Sequence, residues 1–157
     1  AKIFYHKGMM MMKKGAFEDA ERLLQRAHEA DPENARFALQ LGWAIFQRDA
    51  VNDPGRMKEA RRLLELAVKV DETNPEAHYF IARYWKAAGN VEQAKKHLQE
   101  ALKLRENYIE VKRELRLMEM RKGEQPVKGK AKGNAKAGAA EESGRWPFGL
   151  DKLFKRK

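Results

Sequence analysis

The feature that most constrains this chain is a spacing of small residues that occurs three times. Gly15 is followed by Ala20 and Ala27 with Leu24 between them; Gly55 by Ala60, Leu64 and Ala67; Gly89 by Ala94, Leu98 and Ala101. In each segment one small residue stands five positions after the glycine and another twelve after it. Upstream lie further small residues at Gly8, Leu41-Gly42 and Ile81-Ala82. Helix axes come close only where the side chains at the crossing are small. The chain is therefore predicted to fold as pairs of helices that touch at these positions. Glycine takes a left-handed backbone at little cost and commonly ends a helix that way. Gly15, Gly55 and Gly89 are accordingly expected to end the first helix of each pair.

The register divides the chain into units at 1–34, 35–74 and 75–108. The second is six residues longer, and its excess falls on Asp49-Ala50-Val51-Asn52-Asp53-Pro54, in the turn between that unit's helices. After them, Ile109, Val111, Leu115 and Met118 recur at helical spacing among Glu110, Lys112, Arg113, Glu114 and Arg116. One apolar stripe beside a charged face describes a capping helix over 107–121 that shields the last unit. Seven helices are expected, near 2–14, 17–30, 34–48, 56–70, 75–88, 91–105 and 107–121.

These spacings resemble the tetratricopeptide repeat, a 34-residue helix–turn–helix unit with small residues at its crossings. The resemblance covers about two-thirds of the chain and implies an all-α, right-handed superhelical solenoid of three helix pairs plus a C-terminal capping helix. It also implies protein–protein interaction on the inner, concave surface. Ala38-Leu39-Gln40-Leu41-Gly42-Trp43-Ala44-Ile45-Phe46 and Glu114-Leu115-Arg116-Leu117-Met118-Glu119-Met120-Arg121 are further similar to the C-terminal repeat region of bacterial proteins with a J-domain or receiver domain upstream. That likeness implies a module within a larger multidomain protein. The start at Ala1-Lys2-Ile3, without an initiator Met, agrees with a fragment of one.

Charge separates the folded part from the C-terminal tail. Of the formal +10, residues 1–121 carry +4 and residues 122–157 carry +6. From 122 to 145 the chain is rich in Lys, Gly and Ala without apolar periodicity, and reads as a flexible linker with a reach of about 27 Å. Residues 146–157 form a hydrophobic–basic peptide in which Trp146, Phe148, Leu150, Leu153 and Phe154 stand beside Lys152, Lys155 and Arg156. Three readings of it stay open: a docking motif for a partner or for self-association, a short amphipathic helix with weak affinity for an anionic membrane surface, or an end without a role. The tail's lysines also allow salt-sensitive attachment to nucleic acid, but no aromatic residues interleave with the Lys-Gly-Lys-Ala run, which argues against base recognition.

In a stack of helix pairs the first helices line the inside. Their inward positions place Tyr5, Met9 and Met12 in the first unit, Arg36, Leu39, Trp43 and Phe46 in the second, and Tyr79, Arg83 and Lys86 in the third. Aromatic residues and Arg dominate binding hot spots, and Met adapts its shape to varied ligands. The expectation is an apolar groove anchored by Tyr5, Met9, Met12, Leu39, Trp43, Phe46 and Tyr79, with Arg36, Arg83 and Lys86 orienting a partly apolar, acid-flanked segment. Some members of the family clamp the terminal carboxylate of heat-shock chaperones with Lys and Asn on these helices. The corresponding columns here hold Tyr5, Met9, Gln40, Glu76 and Phe80, which argues against that ligand.

Nothing in the chain has the pattern of catalysis. The four histidines, His6, His28, His78 and His97, form no i, i+3 or i+4 pair, and there is no Cys to complete a metal site. No phosphate loop, nucleophile elbow or HExxH segment occurs. The expectation is a non-enzymatic scaffold without cofactor. With no Cys, no signal-peptide pattern at the start and no apolar run near 20 residues, a cytoplasmic protein is expected.

Overall fold

A computed structural model describes residues 1–49 and 52–124; the 125–145 part of the linker and the 146–157 peptide lie outside the described residues. Within them the chain forms seven helices and no strand: α1 (Lys2–Lys13), α2 (Phe17–Ala30), α3 (Ala35–Asp49), α4 (Pro54–Val70), α5 (Pro75–Ala87), α6 (Val91–Leu104) and α7 (Ile109–Glu124). Consecutive helices pack on one another, and first helices also touch across units, α1 on α3 and α3 on α5. The result is an all-α helical-repeat array.

The crossings explain the small-residue code. A β-carbon on Gly8 would stand 2.8 Å from Leu24 Cγ, and one on Gly42 3.0 Å from Leu63 Cβ. Ala20, Ala60 and Ala94 on the second helices are wholly buried, as are Ala27 and Ala101. Around them runs a core through α2, α3, α4 and α5 that includes Leu24, Leu41, Ile45, Met57, Leu63, Leu64 and Ile81. A second cluster of Tyr79, Ala82, Leu98, Ala101, Tyr108 and Val111 joins α7 to the last pair.

Two of the three turns within pairs follow the glycine reading. Gly15 and Gly89 have φ of 75° and 83°. Beyond each, the next residue's N–H reaches back five residues, Ala16 to the Met11 carbonyl and Asn90 to the Trp85 carbonyl, both at 2.9 Å. This is the 6→1 closure that satisfies a helix's last carbonyls. Gly55 behaves otherwise, and the expectation for it is corrected. The extra residues let α4 begin at Pro54, so Gly55 lies inside its first turn. Asp53 caps that turn, its carboxylate accepting from the N–H groups of Gly55 at 2.9 Å and Arg56 at 3.2 Å. Between pairs, Asn34 and Asn74 play the same part, accepting from Arg36 N–H at 3.2 Å and Glu76 N–H at 3.0 Å.

Candidate peptide-binding surface

The inner positions of α1, α3 and α5 do not form one open floor. Tyr5, Met9, Met12, Trp43 and Arg83 stay partly exposed, and Arg36 is exposed. Leu39 retains 1% of its surface and Phe46 3%, so both serve the core and neither is an open anchor. The reason is geometric: the 3.6-residue period places them beside the inner face, where α3 is flanked by α1 and α5.

Trp43 is the centre of an aromatic stack. Its ring lies 4.2 Å from Phe80, nearly parallel at 9°, and 5.3 Å from Phe46 at 15°. Phe46 in turn meets the edge of Tyr84 at 6.3 Å. The guanidinium of Arg83 stands 5.9 Å from the Trp43 ring and donates to the Tyr79 hydroxyl at 3.0 Å. The array thus fills part of its inner side with its own rings, among which Trp43 stays partly exposed.

At the C-terminal end the inner face is closed by α7. Tyr79 is 9% exposed and its ring sits 5.3 Å from that of Tyr108. Lys86 is buried and ion-paired with Glu114 on α7. Burial pulls its ammonium below the usual lysine range, and the hydrogen bond to Glu114 works against that shift. Tyr79 and Lys86 therefore hold the capping helix rather than meet a ligand, which corrects the expectation for both. Tyr108 and Glu114 are the residues that sequence reasoning missed. Neither has a periodic signal, since each acts through a partner about 28 residues away.

At the other end the face is open. Tyr5 rests on Phe37, ring centres 5.1 Å apart, and burial raises its hydroxyl pKa, with Arg36 opposing and Glu76 adding to the rise. Glu76 accepts from the Gln40 amide at 2.6 Å. Tyr108 is pushed up to about 12, mainly by burial and then by the charge of Glu76. A half-buried carboxylate thus sits close enough to Tyr5 and Tyr108 to act on both, and is held by Gln40. Beside it opens a cavity of about 640 Å³, bounded by Lys2, Tyr5 and His6 on α1, by Asn34 to Phe37 at the start of α3, and by Asp71 and Asn74 before α5. Tyr5 and Arg36 belong to both the cavity and the inner face. Trp146, Phe148, Leu150, Leu153 and Phe154, expected as a docking motif, lie outside the described residues.

Among the described residues no cluster of three His, Cys, Asp or Glu side chains has a metal-holding arrangement. No helix among them is long and apolar enough to cross a membrane. His78 is buried at the α5–α6 contact, its Nε2 2.9 Å from the Glu72 carbonyl and its Nδ1 3.1 Å from Nδ1 of His97.

Comparison with known proteins agrees with this architecture. Residues 52–115, from the turn before α4 into α7, match the family model described as tetratricopeptide repeat. The chain is similar to the TPR repeat-containing protein YvcD of Bacillus subtilis (strain 168), at 30% identity over 94 residues. That match takes in 59% of this chain but spans only 18% of the relative's length. Among solved structures, the first TPR of Spaghetti (RPAP3) bound to the HSP90 peptide SRMEEVD superposes with a TM-score of 0.66 at 23% identity, covering 77% of this chain and 91% of that one. The type III secretion chaperone SycD of Yersinia enterocolitica, in complex with a peptide of the translocator YopD, gives 0.63 at 21% identity, covering 77% and 93%. The helix pairs, their small-residue crossings and these likenesses together identify the fold as that of a tetratricopeptide-repeat solenoid.

Proposed function

We propose that the chain is a scaffold that binds a segment of a partner protein along the open part of its inner face, from the cavity at Tyr5 to the partly exposed Trp43. One observation carries this reading: Tyr5, Met9, Met12 and Trp43 stay partly exposed at the inner positions of α1 and α3, and Tyr5 also lines the cavity. Apolar side chains left open along a concave surface are the usual mark of a binding site. The solved neighbours bound to peptides support the reading, because the same fold holds an HSP90 peptide in one and a YopD peptide in another.

The ligand's chemistry follows from what surrounds the apolar strip. Arg36 and Arg83 favour acidic residues at two points, whereas Glu76 favours a basic or amide group between them. This differs from a surface rimmed only by cations, since Lys86 is committed to Glu114. A place within a larger multidomain protein belongs to the same reading.

Selection of displayed random peptides on the immobilised chain tests it. Selected peptides should share apolar residues near an acidic one, and their affinity should fall at least about tenfold, or about 1.4 kcal/mol, for Met9→Glu and for Trp43→Ala. Peptides that bind both variants as well as the parent chain would remove the inner face as the site.

A further inference from the structure

A second surface lies on the opposite side of α1, and it has the composition of an interface between repeats. The comparison is internal, because the 34-residue register relates each position of α1 to one on α3 and α5. Position three is Phe37 on α3 and Ala77 on α5, 5% and 1% exposed; on α1 it is Ile3, 68% exposed. Position ten is Ala44 and Tyr84, at 0% and 3%; on α1 it is Met10, at 53%. Lys7 is exposed where Leu41 and Ile81 are buried. On α3 and α5 these positions are covered by the unit before: α2 packs on α3 and α4 on α5, and Phe37 and Tyr84 also meet Tyr5 and Phe46 of the preceding first helix.

Charge narrows the occupant. α1 and the residue after it carry Lys2, Lys7, Lys13 and Lys14 and no acid. Where α2 meets α3, Arg48 Nη1 pairs with Glu21 at 2.9 Å, and Lys14 is the register equivalent of Arg48. A helix lying on α1 as α2 lies on α3 would set a carboxylate against Lys14. The other end of the array differs. At the crossing position of Gly8, Gly42 and Ala82, α7 carries the bulky side chain of Arg116, exposed among the described residues.

We propose that the outer face of α1 is a stacking surface for a further helix pair whose second helix is amphipathic and acid-flanked. It extends the established α2–α3 and α4–α5 interfaces by one unit. Two other occupants are disfavoured by charge. A second copy stacked face to face would oppose Lys7 and Lys14 to themselves, and the basic 146–157 peptide would bring more lysine to the same place.

The test places residues 1–34 a second time ahead of Ala1, so that the copied α2, with its Glu18, Asp19, Glu21 and Glu29, stands before α1 as α2 stands before α3. Thermal unfolding should shift upward by about 5 °C or more. Ile3→Lys with Met10→Lys in the inner copy should abolish that gain, yet move the Tm of the unextended chain by no more than about 2 °C, as for substitutions on an open surface. An absent shift, or one indifferent to the two substitutions, overturns the proposal. So does a concentration-dependent dimer of the unextended chain that the double substitution dissolves, which would give the face to a second copy. So would a fall in Tm on removing 125–157 that the double substitution also produces, which would give it to the tail.

Discussion

The ammonium of Lys86 on α5 is buried against the carboxylate of Glu114 on α7, with side-chain exposures of 7% and 14%. This pair fixes the capping helix over the last repeat together with Tyr108 and Val111. Taking one partner from a buried ion pair leaves the other charge desolvated, which costs more than the intact pair contributes. Glu114→Gln should therefore destabilise the fold by about 3 kcal/mol, whereas Lys86→Met combined with Glu114→Leu should come within about 1 kcal/mol of the parent chain. Urea titrations of the single and double variants check this. A single variant as stable as the parent would show that the pair does not hold α7.

Gly8 and Gly15 stand seven residues apart and are glycines for different reasons. At Gly8 the limit is space, because a β-carbon would lie 2.8 Å from Leu24 Cγ and Leu24 has no exposed surface to retreat into. At Gly15 there is nothing within 4 Å, but φ is +75°. Gly8→Ala should cost about 1–3 kcal/mol by overpacking, and Gly15→Ala about 1–2 kcal/mol by backbone strain. Adding Leu24→Ala, which removes both Cγ and Cδ2, should recover part of the first loss and none of the second when the pair is read as a double-mutant cycle. Equal recovery in both would contradict the distinction.

Two histidines should make the fold sensitive to acid. Burial lowers the pKa of His97, reinforced by His78, and burial followed by Arg62 lowers that of His28. The neutral ring is thus favoured in the folded chain, and the unfolded chain binds more protons once pH falls below the ordinary histidine value of about 6.5. Stability is full above that value and is lost as pH drops from it toward the folded-state pKa values. The Tm should fall between pH 7 and pH 5, less steeply for His97→Gln. A Tm that rises with acidification in this window would reverse the sign and refute the assignment.

How far the fold was legible depended on whether its signal was local. The crossings at Gly8–Leu24 and Gly42–Leu63 and the turns at Gly15 and Gly89 follow from residue size and backbone freedom, which a sequence displays directly. Gly55 misled because the extra residues before it allowed Asp53 to start α4 two residues earlier. The inner surface was legible in position but not in exposure. A helical period places Leu39, Phe46 and Trp43 within one broad arc, and only the neighbouring helices decide which ring stays open. Lys86 was misread for the same reason, since its partner Glu114 is set by how α7 folds back over α5.

The methionines of α1 supply the most direct test of the binding surface. Met9 and Met12 face the inner side, Met10 is 53% exposed on the outer side, and Met57 is buried in the core at 1%. With methyl-labelled methionine, an NMR titration by a selected peptide reads all of these positions at once. The account predicts shifts at Met9 and Met12 with Met10 and Met57 unmoved. Shifts at Met10 with Met9 and Met12 silent would contradict it.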